Sequence, residues 1–302
     1  MGLNRQESAW VLLACVSVLL GLLAVFLPQP SDKVVSLDVG QGDSTLFQHG
    51  LQQVLVDGGQ GPAVLQRLSE ELPWFDNRVD VVVVTHPQRD HMEGLLYVLQ
   101  RYDVGLVILP QAAYGSSLQH EWLQMLIDRH QPYRFAWQGQ HLSLGELSLN
   151  ILAPFDTQEW RDAETKEVNN ASVSIQALFG SRKFVLYGDG EKWLEDQLIA
   201  HTPAHRLQAD VLKAGHHGSK TSSSQEILDA VRPHIVAISV GAKNKYGHPS
   251  KEVIQRLQAD HITSVRTDLN GSLRFLRQDG QWLLQCFAAS LHTAPASCIK
   301  NI

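Results

Sequence analysis

Cysteine is nearly missing from this 302-residue chain: Cys15 lies in an apolar N-terminal run, and Cys286 and Cys298 sit near the end. Three such residues make no disulfide framework and no C-x2-C zinc pattern. A bridge between Cys286 and Cys298 would need an oxidising compartment, and a buried thiol with a second thiol in the tail is the reading adopted. Basic charge is also short, with 25 Lys plus Arg against 31 Asp plus Glu and a formal net charge of −6. That balance excludes a broad basic face holding nucleic acid by counterion release, leaving room for a local groove. Wholesale disorder is excluded too. With 44% apolar and 19% charged residues, the chain can bury a large core in one large domain or two small ones.

One long apolar run occurs. Residues 10–27, WVLLACVSVLLGLLAVFL, are eighteen consecutive residues without a charge, approaching the ~30 Å of a bilayer core at a helical rise of 1.5 Å per residue. The run ends in Phe26, Leu27 and Pro28 with no small-x-small cleavage site, so an uncleaved membrane anchor over residues 1–30 is expected in preference to a signal peptide. Arg5 before it, with Asp32 and Lys33 after it, gives a weak positive-inside bias. The expected localisation is the cell membrane, single-pass, with the main domain outside the cytoplasm. That domain is expected over residues 31–290, followed by a flexible tail at 291–302 that lacks periodicity.

The chemistry concentrates at residues 81–96, VVVVTHPQRDHMEGLL. The valines have the length and β-branching of a buried strand, and Pro87 disfavours helix through Thr85 and His86, so His86, Asp90 and His91 are expected on a loop at the strand's carboxyl end. Such loops commonly carry the sites of α/β folds. Other strands end in the same way. QVLVDGG ends in Asp57, which could instead cap the helix suggested from Ala63 onward. RKFVLYGD delivers Asp189, ADVLKA delivers His216 and His217, and PHIVAISVG leads to His248. The glycine-bearing turn of LDVGQGDS carries Asp38, Gln41, Asp43 and Ser44, more polar side chains than a hairpin needs. By contrast His120, His130, His201, His205 and His261 lie on polar segments and read as solvated, while His234 opens a strand. One polar site at a common sheet edge explains all these strand ends at once. Histidine with aspartate suits zinc, manganese or iron, and a divalent ion activates water for hydrolysis at neutral pH.

The segment THPQRDH resembles the HxHxDH signature of the metallo-β-lactamase superfamily. Together with LDVGQGDS, LVDGG, NNASV, YGD, DVLKAGHHGSKTSSS and SVGAKNKYGHPS, it is similar to the C-terminal hydrolase domain of ComEC-type DNA-internalisation (competence) proteins. The resemblance runs from about Val34 to Phe287. It implies an α/β (α+β) fold, a four-layer αββα sandwich, here preceded by one transmembrane helix. It also implies a membrane-anchored, metal-dependent phosphodiesterase or nuclease acting on DNA in or alongside DNA uptake. Carried over by motif, His86, Asp90, His91, Asp189, His216 and His217 are candidate ligands for one or two zinc or manganese ions. Asp90, His217, His248 and Lys220 are candidates for the catalytic step, and Asp38, Gln41, Asp43, Ser219 and Asn170 face the substrate. The histidine after Asp189 that ligates is left open. Where the superfamily has His, and the ComEC-type domains Asp, this chain has Gln88, a poor ligand. Position 93, usually small, is Glu93. Gln88 weakens one ion site and leaves the other nearly intact. The alternative is therefore a catalytically weakened binding or assembly module. Expected partners are DNA or another phosphodiester, the membrane, and a separate channel protein of the uptake machinery, since one helix encloses no pore. A β-lactam or thioester hydrolase shares the metal chemistry, but no residue argues for it.

Overall fold

Residues of β4 (Arg78–Val83) point alternately to two apolar layers, which explains why four valines in a row follow without a polar partner. Val81 and Val83 face a core shared with the second sheet, while Val82 and Val84 face a helical layer. A strand buried on both faces reads as a continuous apolar run. β1 (Lys33–Ser36), β2 (Thr45–His49), β3 (Gln52–Val56), β5 (Asp103–Leu109) and β6 (Tyr133–Phe135) belong to the same sheet. The structure is a computed structural model that describes residues 5–26, 31–111, 115–157, 160, 167–286 and 300–301.

The second sheet holds β7 (His141–Leu144), β8 (Leu147–Ala153), β9 (Ser174–Phe179), β10 (Arg182–Leu186), β11 (Val211–Lys213), β12 (Ile235–Ile238) and β13 (Thr263–Arg266). The chain then returns to the first sheet as β14 (Leu273–Gln278), β15 (Gln281–Cys286) and β16 (Lys300–Asn301). The order is β16-β15-β14-β1-β2-β3-β4-β5-β6 in one sheet and β13-β12-β11-β10-β9-β8-β7 in the other. β3, β4, β5 and β6 run parallel, as do β10 to β13, so the carboxyl ends in each set lie side by side.

Three apolar layers hold this arrangement. Between the sheets, Phe184 meets Phe47, Phe275 and Trp282 edge-on at centroid distances of 6.0, 5.7 and 5.7 Å. Each such ring, fully buried, contributes about 1.5–3 kcal/mol from area alone. α2 (Ala63–Glu71), α3 (Arg89–Arg101) and α4 (Ser117–Asp128) cover the outer face of the first sheet through Val64, Leu68, Leu95, Leu99 and Trp122. The helices Lys192–His201, Gln225–Val231 and Lys251–Ala259 cover the second through Leu194, Leu198, Ile227 and Leu257. The result is the expected αββα sandwich.

Several expectations are corrected. The chain divides into two units, Met1–Pro30 and Ser31–Ile302. The first contains α1 (Arg5–Phe26), but among the described residues no helix is long and apolar enough to cross a membrane. The transmembrane helix, the membrane partner and the single-pass localisation are withdrawn on that finding. Cys286 is disulfide-bonded where a thiol was expected, and Cys15 is free. Residues 291–299 and 302 of the expected tail lie outside the described residues, whereas Lys300–Asn301 pairs with β15. α3 begins at Arg89, with Gln88 as its extended N-cap, so Asp90 and His91 occupy a helix's first turn instead of a loop. Pro87 restricts only the residue before it. Finally, Pro62 precedes α2, which removes the reading of Asp57 as its cap.

Candidate metal centre

Close backbone approach sets the site's shape. α3 is seated on the loop after β3: Gly58 N donates to His91 O at 2.7 Å and Gly94 N to Gly59 O at 2.9 Å. A Cβ on Gly94 would lie 1.9 Å from Gly58 O, so only glycine permits this seat. Gly42, at φ +125°, brings Asp43 N to Asp90 O at 3.1 Å, and a Cβ there would meet that oxygen at 2.1 Å. The first turn of α3 is thereby fixed against the ends of β2 and β3. His216 and His217 are both left-handed, at φ 44° and 54°, a conformation that non-glycine residues adopt at a cost of about 1 kcal/mol or more each. That bend turns the adjacent imidazoles different ways.

Four side chains meet where the two sheets' carboxyl ends converge. His91 Nε2 lies 3.2 Å and His217 Nε2 3.3 Å from Asp189 Oδ2, and His217 Nε2 lies 3.3 Å from Asp90 Oδ2. One ligand atom from each of Asp90, His91, Asp189 and His217 falls within 4.8 Å of all the others. An ion with bonds of 2.0–2.1 Å in a tetrahedron would separate its donors by about 3.4 Å, close to these distances. Both Nε2 atoms are buried and neither makes a hydrogen bond, which normally costs free energy unless another partner is bound. Two imidazole nitrogens and two carboxylates therefore fit a divalent metal ion.

The opposite edges of the two rings are anchored. His91 Nδ1 donates to Asp57 Oδ2 at 2.8 Å, and Asp57 in turn accepts from Thr85 N at 2.8 Å and from Thr85 Oγ1 at 2.7 Å. His217 Nδ1 donates to Ser239 O at 3.0 Å and lies 3.2 Å from Asp43 Oδ1. Protonation at Nδ1 leaves Nε2 as the ligand atom, the arrangement that metal-binding histidines use. Asp43, Asp57 and His91 also cluster, but through the Nδ1 edge already bonded to Asp57. That group supports the first cluster and is not a separate site. Lys213, buried at the end of β11, bonds Asp43, donates to Gly188 O at 3.1 Å and lies 3.7 Å from Asp189 Oδ1.

Electrostatics follow from this burial. Burial raises the Asp189 carboxyl, but His217 and His91 outweigh it and hold the group well below the usual carboxylate range. Asp90 is likewise lowered, burial being overcome by the nearby imidazoles of His217 and His91. Burial opposes charge on His91 and His217, yet Asp189 with Asp57, and Asp189 with Asp43, lift the two imidazoles well above their ordinary value. Lys213 is raised, its burial being overcome by Asp43 and Asp189. Burial alone pushes Asp57 up. With neutral imidazoles, four carboxylates face one ammonium, a local deficit that a divalent cation would offset.

The remaining expected residues distribute unevenly. His86 is fully buried, its ring 4.1 Å from that of His91, but its Nδ1 faces Thr85 Oγ1 at 3.0 Å and its Nε2 faces Gln88 Oε1 at 3.3 Å. Burial, then the charge of His91, pushes it down to about 3. It stands outside the four-residue cluster. His216 is partly exposed, its Nδ1 3.1 Å from Glu191 Oε1 and its Nε2 3.9 Å from Asp189 Oδ2. His248 lies at the rim, its ring 5.7 Å from that of His216, with a buried, unbonded Nδ1. Ser219 is buried against Thr221, and Lys220 is exposed on the same loop. Asp43 is held inside the site by Lys213 and His217. Asn170 accepts from Glu191 N at 3.0 Å, and Gln41 accepts from Gly241 N at 3.2 Å. Asp38 accepts from Gly40 N at 3.2 Å and pairs with Arg67 at 3.7 Å. Glu93 accepts from Gly61 N at 3.1 Å and pairs with Arg89 at 3.0 Å. Lys213 and Thr85 went unrecognised in the sequence. A lysine closing an otherwise apolar strand was the available signal for the first.

The metallo-beta-lactamase superfamily model matches residues 37–241. The chain belongs to that superfamily. Among curated proteins it is similar to ComE operon protein 3 of Bacillus subtilis, 29% identical over 266 residues, covering 80% of this chain and 33% of that protein. It is also similar to Recombination protein 2 of Haemophilus influenzae, 30% identical over 271 residues and 87% of this chain, and to Competence protein ComA of Neisseria gonorrhoeae, 28% identical over 82% of this chain. The chain spans about a third of the length of these relatives. Among solved structures, the diiron β-hydroxylase CmlA from Streptomyces venezuelae superposes with a TM-score of 0.54 at 19% identity, over 82% of this chain and 55% of that one. The metallo-β-lactamase fold protein YhfI from Bacillus subtilis gives 0.50 at 15% identity, over 78% and 95%. These two likenesses establish the fold alone.

Proposed function

We propose that this metal-dependent hydrolase acts on phosphodiesters, with DNA as substrate, in or alongside DNA uptake. The single observation that carries the hydrolase reading is the pair of buried, unbonded Nε2 atoms of His91 and His217 facing Asp90 and Asp189. The relatives' names, competence and recombination proteins, support DNA as the substrate.

In this reading Asp90, His91, Asp189 and His217 would hold one ion, zinc or manganese, which would supply Lewis acidity and activate water for hydrolysis. Asp57 and Asp43 orient the imidazoles, and Lys213 keeps Asp43 ionised. His248 is held below its ordinary value by burial and then by His216 and His217, so it is neutral near pH 7 and suits accepting a proton from an attacking water. Lys220 and the loop amides after Ser219 neutralise charge growing on the phosphoryl group. A cavity of about 320 Å³ between residues 88–90 and residues 116–118 gives access beside Asp90.

A one-ion site is favoured over two because Gln88 faces His86 Nε2 and His86 lies outside the cluster. The test is metal content with hydrolysis of bis-p-nitrophenyl phosphate and of DNA. One equivalent of ion with turnover that Asp90→Ala abolishes is expected, and Gln88→Asp should raise the content toward two. Turnover unchanged in Asp90→Ala sinks the mechanism. No ion and no turnover would favour the assembly module, the reading that Gln88 motivates.

A further inference from the structure

Residues 242–251, AKNKYGHPSK, carry three lysines and no acid in a chain whose net charge is −6. At their centre Tyr246 is 70% exposed, so packing does not account for it. Its ring stacks on His248 at 17° and 5.8 Å, leaving the other face open to solvent. His248 in turn meets His216 edge-on at 61°, and His216 Nε2 lies 3.9 Å from Asp189, so the ring contacts reach the rim of the metal cluster. The segment is also preorganised. Asn244 Nδ2 donates to Gly241 O and His248 O, both at 2.9 Å, while its Oδ1 accepts from Tyr246 N at 3.2 Å and His248 N at 3.0 Å. An exposed aromatic on a loop tied from within loses little freedom when a ligand docks.

We infer that this segment is a lip that binds single-stranded DNA beside the metal centre, with a base stacked on Tyr246 and phosphates against Lys243 and Lys245. The inference rests on the phosphodiester reading above and sharpens its substrate. An open ring face flanked by cations suits an unstacked base and its backbone, whereas the bases of a duplex already stack on one another.

The test is fluorescence anisotropy with a labelled mixed-sequence 12-mer and the full chain stripped of metal, so that binding is read without cleavage. Tyr246→Ala should weaken single-strand binding about 10-fold and Tyr246→Phe should restore it, with the matching duplex bound more weakly and unaffected. Replacing Lys243 and Lys245 by Gln should reduce the slope of log K against log salt by about 1.4, from two phosphate contacts at 0.7 each. Metal content of the reloaded variants should match that of the unaltered chain. Binding by Tyr246→Ala within twofold of the unaltered chain, or an equal loss for duplex, overturns the lip. No turnover by the unaltered chain, with Tyr246-dependent binding intact, overturns the phosphodiesterase reading and leaves the lip supported.

Discussion

Asp57→Asn isolates the support of one ligand from the ligand itself. Asp57 sits at φ 60°, and asparagine tolerates the left-handed region as well as aspartate does, so the backbone is not perturbed. The amide oxygen can still accept from Thr85 N, now at 2.8 Å from Asp57 Oδ1. The amide nitrogen then replaces Asp57 Oδ2 and points a donor at His91 Nδ1, 2.8 Å away. To avoid two opposed donors, the imidazole must move its proton to Nε2, the atom aimed at Asp90 and Asp189. Losing such an outer carboxylate costs about 10–100-fold in ion affinity, or about 1.4–2.8 kcal/mol. Competition with a chromophoric chelator, for zinc and for manganese, measures that loss. Affinity within twofold of the unaltered chain would refute the assignment of His91 Nε2 as a ligand.

Stability should depend on pH in opposite senses with and without ion. In the metal-free chain His91 and His217 are raised above 6.5, so their contribution is complete below about pH 6.5 and is lost as pH rises through their folded values. His86, lowered to about 3, adds stability above 6.5 that is lost as pH falls toward 3. Thermal melts with chelator should therefore peak near pH 6.5, whereas the ion-loaded chain should keep gaining up to pH 8, since binding displaces protons. A chelated chain more stable at pH 8 than at pH 6.5 would contradict this. Gly94→Ala should cost about 3 kcal/mol of folding stability from its clash with Gly58 O, read as a lowered midpoint in urea. A midpoint unchanged from that of the unaltered chain would show that the seat of α3 yields.

The sandwich and the position of the site were legible because both depend on local pattern. Apolar β-branched runs marked the buried strands, and acids or histidines at their ends marked one edge. What local pattern could not give was which neighbouring atoms meet. His216 and His217 are adjacent and chemically identical, and only their successive left-handed backbones send His217 inward to Asp90 and Asp189 while His216 turns to Glu191. Asp43 reads in the sequence as a polar turn residue facing the substrate. Its role arises from the crossing of two sheets, which brings β11 and the loop after β1 together. α1 shows the reverse failure, since a run without charges was read as a span although among the described residues no helix is long and apolar enough to cross a membrane.

The charge arrangement argues further for a single ion. Asp189 presents Oδ2 to the two histidines, while Lys213 stands 3.7 Å from its Oδ1. A second ion shared through Asp189 would need that oxygen, or a further set of anionic ligands, on the His86 side. There the chain offers a neutral amide, Gln88, and an imidazole with both nitrogens facing protein oxygens. Negative charge is therefore concentrated at Asp90, Asp189, Asp43 and Asp57, around one point. Adding a carboxylate at position 88 supplies the missing anion next to His86 Nε2, and this is why the Gln88→Asp variant should change ion count before it changes the affinity of the first site.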